Sequence, residues 1–118
     1  MLVTSFKLPV MLFLTHGSCA TDVIKTWKKL FPIDVYLHQK DIHHPWLMQL
    51  PDILFDSNFC IDNRIEIIHT LGHSHGSICL LDKASKFLFS GDTICGNKSQ
   101  KIIDFTLSKK AKYEDFNQ

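Results

Sequence analysis

Arg64 to Gly96 reads RIEIIHTLGHSHGSICLLDKASKFLFSGDTICG, and this stretch decides the fold. Three apolar runs are separated by two polar turns, Thr70-Leu71-Gly72-His73-Ser74-His75-Gly76-Ser77 and Ser90-Gly91-Asp92-Thr93. Each turn follows the C-terminal end of a run that reads as a buried strand. Loops at strand ends converge while the strands hold them rigid, so the two turns are where chemistry is expected.

Working outward, Ile78–Leu81 and Phe87–Phe89 pair across Asp82-Lys83-Ala84-Ser85-Lys86, a loop of hairpin length. Upstream, Val10 to Leu14 reads as a short buried strand ended by Thr15-His16-Gly17. A helix capped by Thr21 or Asp22 should follow. Its apolar positions Val23, Ile24, Trp27, Leu30 and Phe31 are spaced i, i+1, i+4, i+7, i+8. Trp27 is therefore expected in the core. Lys25, Lys28 and Lys29 fall on the other face, and Pro32 stops the helix. Ile33 to His38 alternates as a strand, His43-His44-Pro45 reads as a loop, and Trp46-Leu47-Met48 as a helical turn. Asp52 to Asn63 is mixed, with turn residues at Asp56-Ser57-Asn58 and Asp62-Asn63. Lys101 to Leu107 suits a strand or a helix start. The order strand, helix, strand, then mostly strands predicts an α/β or α+β class with sheet-rich packing. Residues 1–108 are expected to form one domain, and 109–118 a polar C-terminal tail.

The 118 residues have room for one domain. A formal charge of +1 gives no case for nucleic acid or a membrane surface as partner. No apolar run approaches the roughly 20 residues of a membrane helix. Leu8 to Leu14, preceded by Lys7 and followed by Gly17, Ser18 and Ala20, has a faint signal-peptide character. Pro9 and the short apolar length favour the buried strand instead. The cysteines at 19, 60, 79 and 95 show no C-x-x-C spacing, and Cys79 sits inside an apolar strand pattern. A core this apolar has little need of a disulfide framework, so a reducing, cytoplasmic compartment is expected.

His73 lies beside Gly72 in a turn that can fold tightly around an imidazole. Neutral imidazole is the commonest metal ligand in proteins. Asp92 follows Gly91 just after Phe87-Leu88-Phe89, and His16 ends another apolar strand in the same way. Two imidazoles and one carboxylate at three strand ends suit a divalent metal. The bland alternative has both histidines capping strands and Asp92 making an Asx-type turn. Gly91 to Ser99 also nearly matches a phosphate-binding loop, but its lysine is one position late and Asp92 would face the phosphate.

T-L-G-H-S-H-G-S resembles the T-P-G-H-T-x-G-S turn of the metallo-β-lactamase-fold superfamily. K-F-L-F-S-G-D-T is similar to that family's strand ending in G-D-T. M-L-F-L-T-H resembles the strand leading into its first metal motif, T-H-x-H-x-D-H. The resemblance covers about Val10 to Gly96. It implies an αββα sandwich, here partial or reduced, holding one or two zinc or iron ions that activate water for hydrolysis. Residue by residue, His16 matches the first histidine of the first motif, His73 the histidine of the G-H-T turn, and Asp92 the metal-bridging aspartate.

The departures fall on the first motif. Its second histidine falls on Ser18, its aspartate on Ala20 and its last histidine on Thr21. A looser T-H-x-D-D-V-A-D-H variant of plant and cyanobacterial members aligns its late aspartate with Asp22. L-H-Q-K-D-I, from Leu37, is similar to that variant's following strand and loop. No histidine follows His75, so the family's final metal histidine has no counterpart, and the strands that precede the first motif are absent. Asp22 can act as a fourth ligand and general base or simply as the helix N-cap. His75 and Cys19 are substitute ligands to consider. His69 and His38 read as strand ends, His43 and His44 as surface loop residues.

Two functional readings follow. In the first, His16, His73 and Asp92 hold one zinc or iron ion, and the chain hydrolyses a small-molecule ester or thioester. In the second, the site has decayed and the chain is a binding or scaffold module. A sandwich without its leading strands also leaves apolar surface uncovered, which predicts self-association or a completing partner.

Overall fold

The structure, a computed structural model, describes residues 11–97 and 102–105. Val10, Lys98-Ser99, the ends of the Lys101–Leu107 segment and the 109–118 stretch lie outside these residues. Among the described residues are three sheets, and the two larger ones with one α-helix form a partial α/β sandwich. The first sheet has the order β1 (Met11–Phe13), β2 (Asp34–His38), β3 (Ile53–Phe55), all parallel. Parallel strands need a crossover, and α1 (Val23–Leu30) supplies it between β1 and β2. The second sheet is an antiparallel meander of β4 (Phe59–Ile61), β5 (Ile65–His69), β6 (Ile78–Asp82) and β7 (Phe87–Phe89). A hairpin of β8 (Ile94–Asn97) and β9 (Ile102–Phe105) follows. The mixed stretch at 52–63 thus resolves into β3 and β4. Among the described residues no helix is long and apolar enough to cross a membrane.

Turn chemistry sets the meander. Asp62 and Asn63 have φ of 51° and 55°, and Arg64 N–H donates to the Ile61 carbonyl at 2.9 Å. Two successive positive φ values match the right-handed twist of a hairpin. Arg64 then closes a bidentate pair on Asp82, Nε and Nη2 each 2.9 Å from a carboxylate oxygen. The guanidinium holds the Asp82 carboxyl well below the usual carboxylate range. The same carboxylate accepts from Ala84 N–H at 3.0 Å and so starts the β6–β7 turn.

The core cluster comprises Leu14, Ala20, Ile24, Val35 and Leu37. Ile67, Ile78 and Cys79 are buried in the meander, as the strand pattern predicts for Cys79. The sheets meet through Phe13 and Phe59, whose ring centroids are 6.2 Å apart. They also meet through Ile78 N–H, which donates to the Thr15 carbonyl at 2.9 Å. This last bond brings the end of β1 against the start of β6, which places His16 beside the Thr70–Ser77 turn.

Besides β7, read from sequence as buried but exposed at Phe87, Leu88 and Phe89, two expectations are corrected. The predicted core face of α1 is buried only at Ile24, while Val23, Trp27 and Leu30 are 59%, 44% and 67% exposed. Ile24 alone points down the crossover onto the parallel sheet, and no described layer lies over the other three. Lys28 fastens the helix instead, with Nζ 2.7 Å from Asp52, whose carboxylate also accepts from Val35 N–H. Second, Pro45-Trp46 forms a tight turn closed by Leu47 N–H on the His44 carbonyl, where a helical turn was expected.

Two predictions arise here. Val23, Trp27 and Leu30 make an apolar stripe of the kind that associates in water. The sedimentation coefficient should rise with protein concentration, and Trp27→Lys should suppress the rise; a concentration-independent monomer contradicts this. His38, at the end of β2, is 1% exposed, and its Nε2 has no hydrogen-bond partner. It stacks on His69 at 4.0 Å, and burial, helped by His69, pushes its pKa from 6.5 down to about 4. The unfolded chain binds that proton at the higher pH, so folded stability should fall as pH drops from 6.5 to 4. His38→Phe should flatten that slope in urea titrations; an unchanged slope contradicts the assignment.

Candidate metal centre

His16 leaves β1 in extended conformation (φ −165°) at the entrance to a 3-10 turn, Gly17–Cys19, and is 5% exposed. His73 lies in the β5–β6 turn. Asp92 lies between β7 and β8, after Gly91 at φ +53°. A Cβ on Gly91 would sit 2.4 Å from Thr15 Oγ1, so glycine serves both the left-handed backbone and the close approach to the β1 loop. Thr70 Oγ1 and Thr93 Oγ1, 3.2 Å apart, tie the two polar turns together.

Three side chains expected from sequence converge. His16, His73 and Asp92 each offer a ligand atom, all within 4.8 Å of one another. Asp92 Oδ2 is 3.4 Å from His16 Nε2 and 3.5 Å from His73 Nε2. These distances are long for hydrogen bonds. Metal–nitrogen and metal–oxygen bonds of about 2.0–2.1 Å put the corners of a tetrahedron roughly 3.3–3.4 Å apart. The two Asp92 distances are compatible with side chains that share an ion, and the ligand atoms of all three residues lie within 4.8 Å of one another. The imidazoles cross edge to face, with centroids 4.7 Å apart. Burial, reinforced by His16, lowers the His73 pKa and favours the neutral, ligating form. The His73 Nδ1 is buried without a hydrogen-bond partner. Two imidazole nitrogens and one carboxylate oxygen suit zinc or iron(II), with room for further ligands.

The residue the sequence reading missed is Asp41. It is 2% exposed, and its carboxylate accepts from Gly17 N–H at 2.8 Å, Gly76 N–H at 2.7 Å and Ser74 Oγ–H at 2.6 Å. Gly17 follows His16, and Ser74 follows His73, so one carboxylate holds both histidine loops. A Cβ on Gly76 would come within 2.8 Å of the Asp41 carboxyl carbon, and one on Gly17 within 2.4 Å of His44 Cβ. Ser77 supports the turn by accepting from Ser74 N–H at 2.9 Å. The available signal was L-H-Q-K-D-I itself, where a lone carboxylate follows a strand end.

The other candidates lie elsewhere. Asp22 stands at the α1 N-cap position but caps no amide with its side chain. Its carboxylate is 67% exposed, faces Lys25 at 3.6 Å and accepts from Gln49 at 3.4 Å. It is not among the converging residues. Cys19 Sγ touches His16, 3.5 Å from Nδ1 and 3.7 Å from Nε2, yet does not join the three. Ala20, at the position of the family's aspartate, is fully buried in the core. The His75 carbonyl accepts from His69 Nε2 at 2.7 Å, the strand-end hydrogen bond expected of His69.

Removing Asp41 leaves the Gly17 and Gly76 amides without their acceptor and Ser74 Oγ with Ser77 alone, each bond to a charged group being worth about 1.5–3 kcal/mol. Asp41→Ala should destabilise the chain by about 3 kcal/mol or more in urea unfolding, and Asp41→Asn by less. A loss below about 1 kcal/mol for the alanine variant would contradict the clamp.

Comparison with known proteins gives the family. The sequence model of the metallo-beta-lactamase superfamily matches residues 13–114. Over 33 residues the chain is 54% identical to the acyl-coenzyme A thioesterase MBLAC2 of Bos taurus and of Homo sapiens. It is 52% identical to that of Gallus gallus over a stretch of the same length. These matches cover 28% of this chain and 12% of each relative. The solved structure of the BLEG-1 B3 metallo-beta-lactamase aligns with a TM-score of 0.60 and 25% identity, covering 75% of this chain and 52% of that one. A family match over residues 13–114, well over half of the chain, shows that it belongs to the metallo-beta-lactamase superfamily.

Proposed function

We propose that the chain is a metal-dependent hydrolase of a thioester or small ester. The convergence of His16, His73 and Asp92 carries this reading. Family membership supports hydrolysis as the reaction type, and the partial match to acyl-coenzyme A thioesterases supports a thioester substrate. His16 and His73 would hold zinc or iron through imidazole nitrogens, and Asp92 through its carboxylate. A bound divalent ion supplies Lewis acidity, polarising a carbonyl and acidifying water toward neutral pH.

The chain's own residues divide the remaining work. Asp41 fixes the residues that follow the two histidines, Gly17 after His16 and Ser74 and Gly76 after His73. Asp92 is 55% exposed at its side chain, against 6% for His16 and 26% for His73. The free thiols of Cys19, Cys60 and Cys79 support a reducing compartment such as the cytoplasm.

The binding-module reading rests on the buried Ala20, which removes one family ligand position outright. Turnover of short acyl thioesters by zinc- or iron-loaded protein separates the two. The hydrolase reading predicts measurable turnover that falls about 100-fold or more in His73→Ala. Metal-loaded protein inactive on every thioester and ester tested would favour the binding module.

A further inference from the structure

Beside the centre lies a cavity of about 290 Å³. It shares His73 and Ser74 with the site, and its other walls include Lys40, His43, His44 and His75. Asp41 also borders it, but both its carboxylate oxygens already accept hydrogen bonds, Oδ1 from Gly76 and Oδ2 from Gly17 and Ser74. The Asp41 carboxylate is thus already engaged by three donors, and Lys40 and His44 bring further donors to the same cavity. Lys40 is exposed, makes no ion pair among the described residues, and can only donate. His44 Nδ1 accepts from Trp46 N–H at 3.2 Å, so the proton of the neutral ring sits on Nε2 as a further donor. A volume of this size accommodates an anionic group and a few attached atoms.

We propose that this cavity is an anion subsite that takes a phosphate carried by the substrate, with Lys40 as its principal charge and His44 as a second donor. The phosphate would anchor the non-reacting end of a phosphorylated thiol while the thioester carbonyl lies toward His73. This extends the hydrolase reading and rests on it for the word substrate, but the binding it requires is measurable without turnover. Lys40 is a specificity residue here, separate from the three ligands.

Calorimetric binding of 4′-phosphopantetheine and of pantetheine, which differ by one phosphate, tests it on the full chain. The proposal expects the phosphorylated thiol to bind about tenfold or more tightly, the worth of one added charge-assisted contact. Lys40→Ala should abolish the preference and Lys40→Arg should retain it. Equal affinities in the unmodified chain, or a preference that survives Lys40→Ala, would overturn the subsite. Inorganic phosphate binding as tightly as phosphopantetheine would overturn its assignment to a substrate-borne group. Intact discrimination without hydrolysis of the acetylated thiols would fault the hydrolase reading and leave the subsite standing.

Discussion

The Asp41 carboxylate is the interaction on which the site depends. Burying a charge is costly unless its lone pairs are occupied. Here two backbone amides and one hydroxyl occupy them, at 2.6–2.8 Å. Those donors belong to two loops far apart in sequence, so satisfying the charge and assembling the site are one event. Gly17 and Gly76 are glycines because a side chain at either would strike the clamp or its neighbour His44. The candidate ligands His16 and His73 each stand one residue before a group that the clamp holds.

A second set of contacts brings in the third candidate ligand, Asp92. Ile78 N–H on the Thr15 carbonyl sets the end of β1 against the meander, and Gly91 packs on the Thr15 side chain. Asp92 follows at once, so its carboxylate arrives beside His16 through backbone proximity. The parallel sheet contributes His16 and Asp41, and the meander with its β7–β8 turn contributes His73 and Asp92. The centre is thus a seam between sheets, and it forms only where both are folded.

Much of this was legible in the sequence, because short-range patterns determine it. The β6–β7 hairpin, the α1 crossover and the positions of His16, His73 and Asp92 follow from alternation, helical spacing and turn residues. Asp41 was not legible, because its importance lies in contacts made 24 to 35 residues away. A single aspartate in a loop carries no local sign of burial. The α1 face misled for the opposite reason: amphipathic spacing says which residues share a face but not that a layer covers them. Trp27 and Leu30 share the expected face and still meet solvent. Asp22 fits the helix N-cap position, yet the backbone there directs its carboxylate to Lys25 and Gln49.

Metal content per chain, measured on protein purified without chelator, tests the central claim most directly. The spacing of His16, His73 and Asp92 predicts close to one zinc or iron per chain, retained through dialysis. Chains that carry essentially no metal, and take up none from added zinc or iron(II), would contradict the assignment of these side chains as a metal centre.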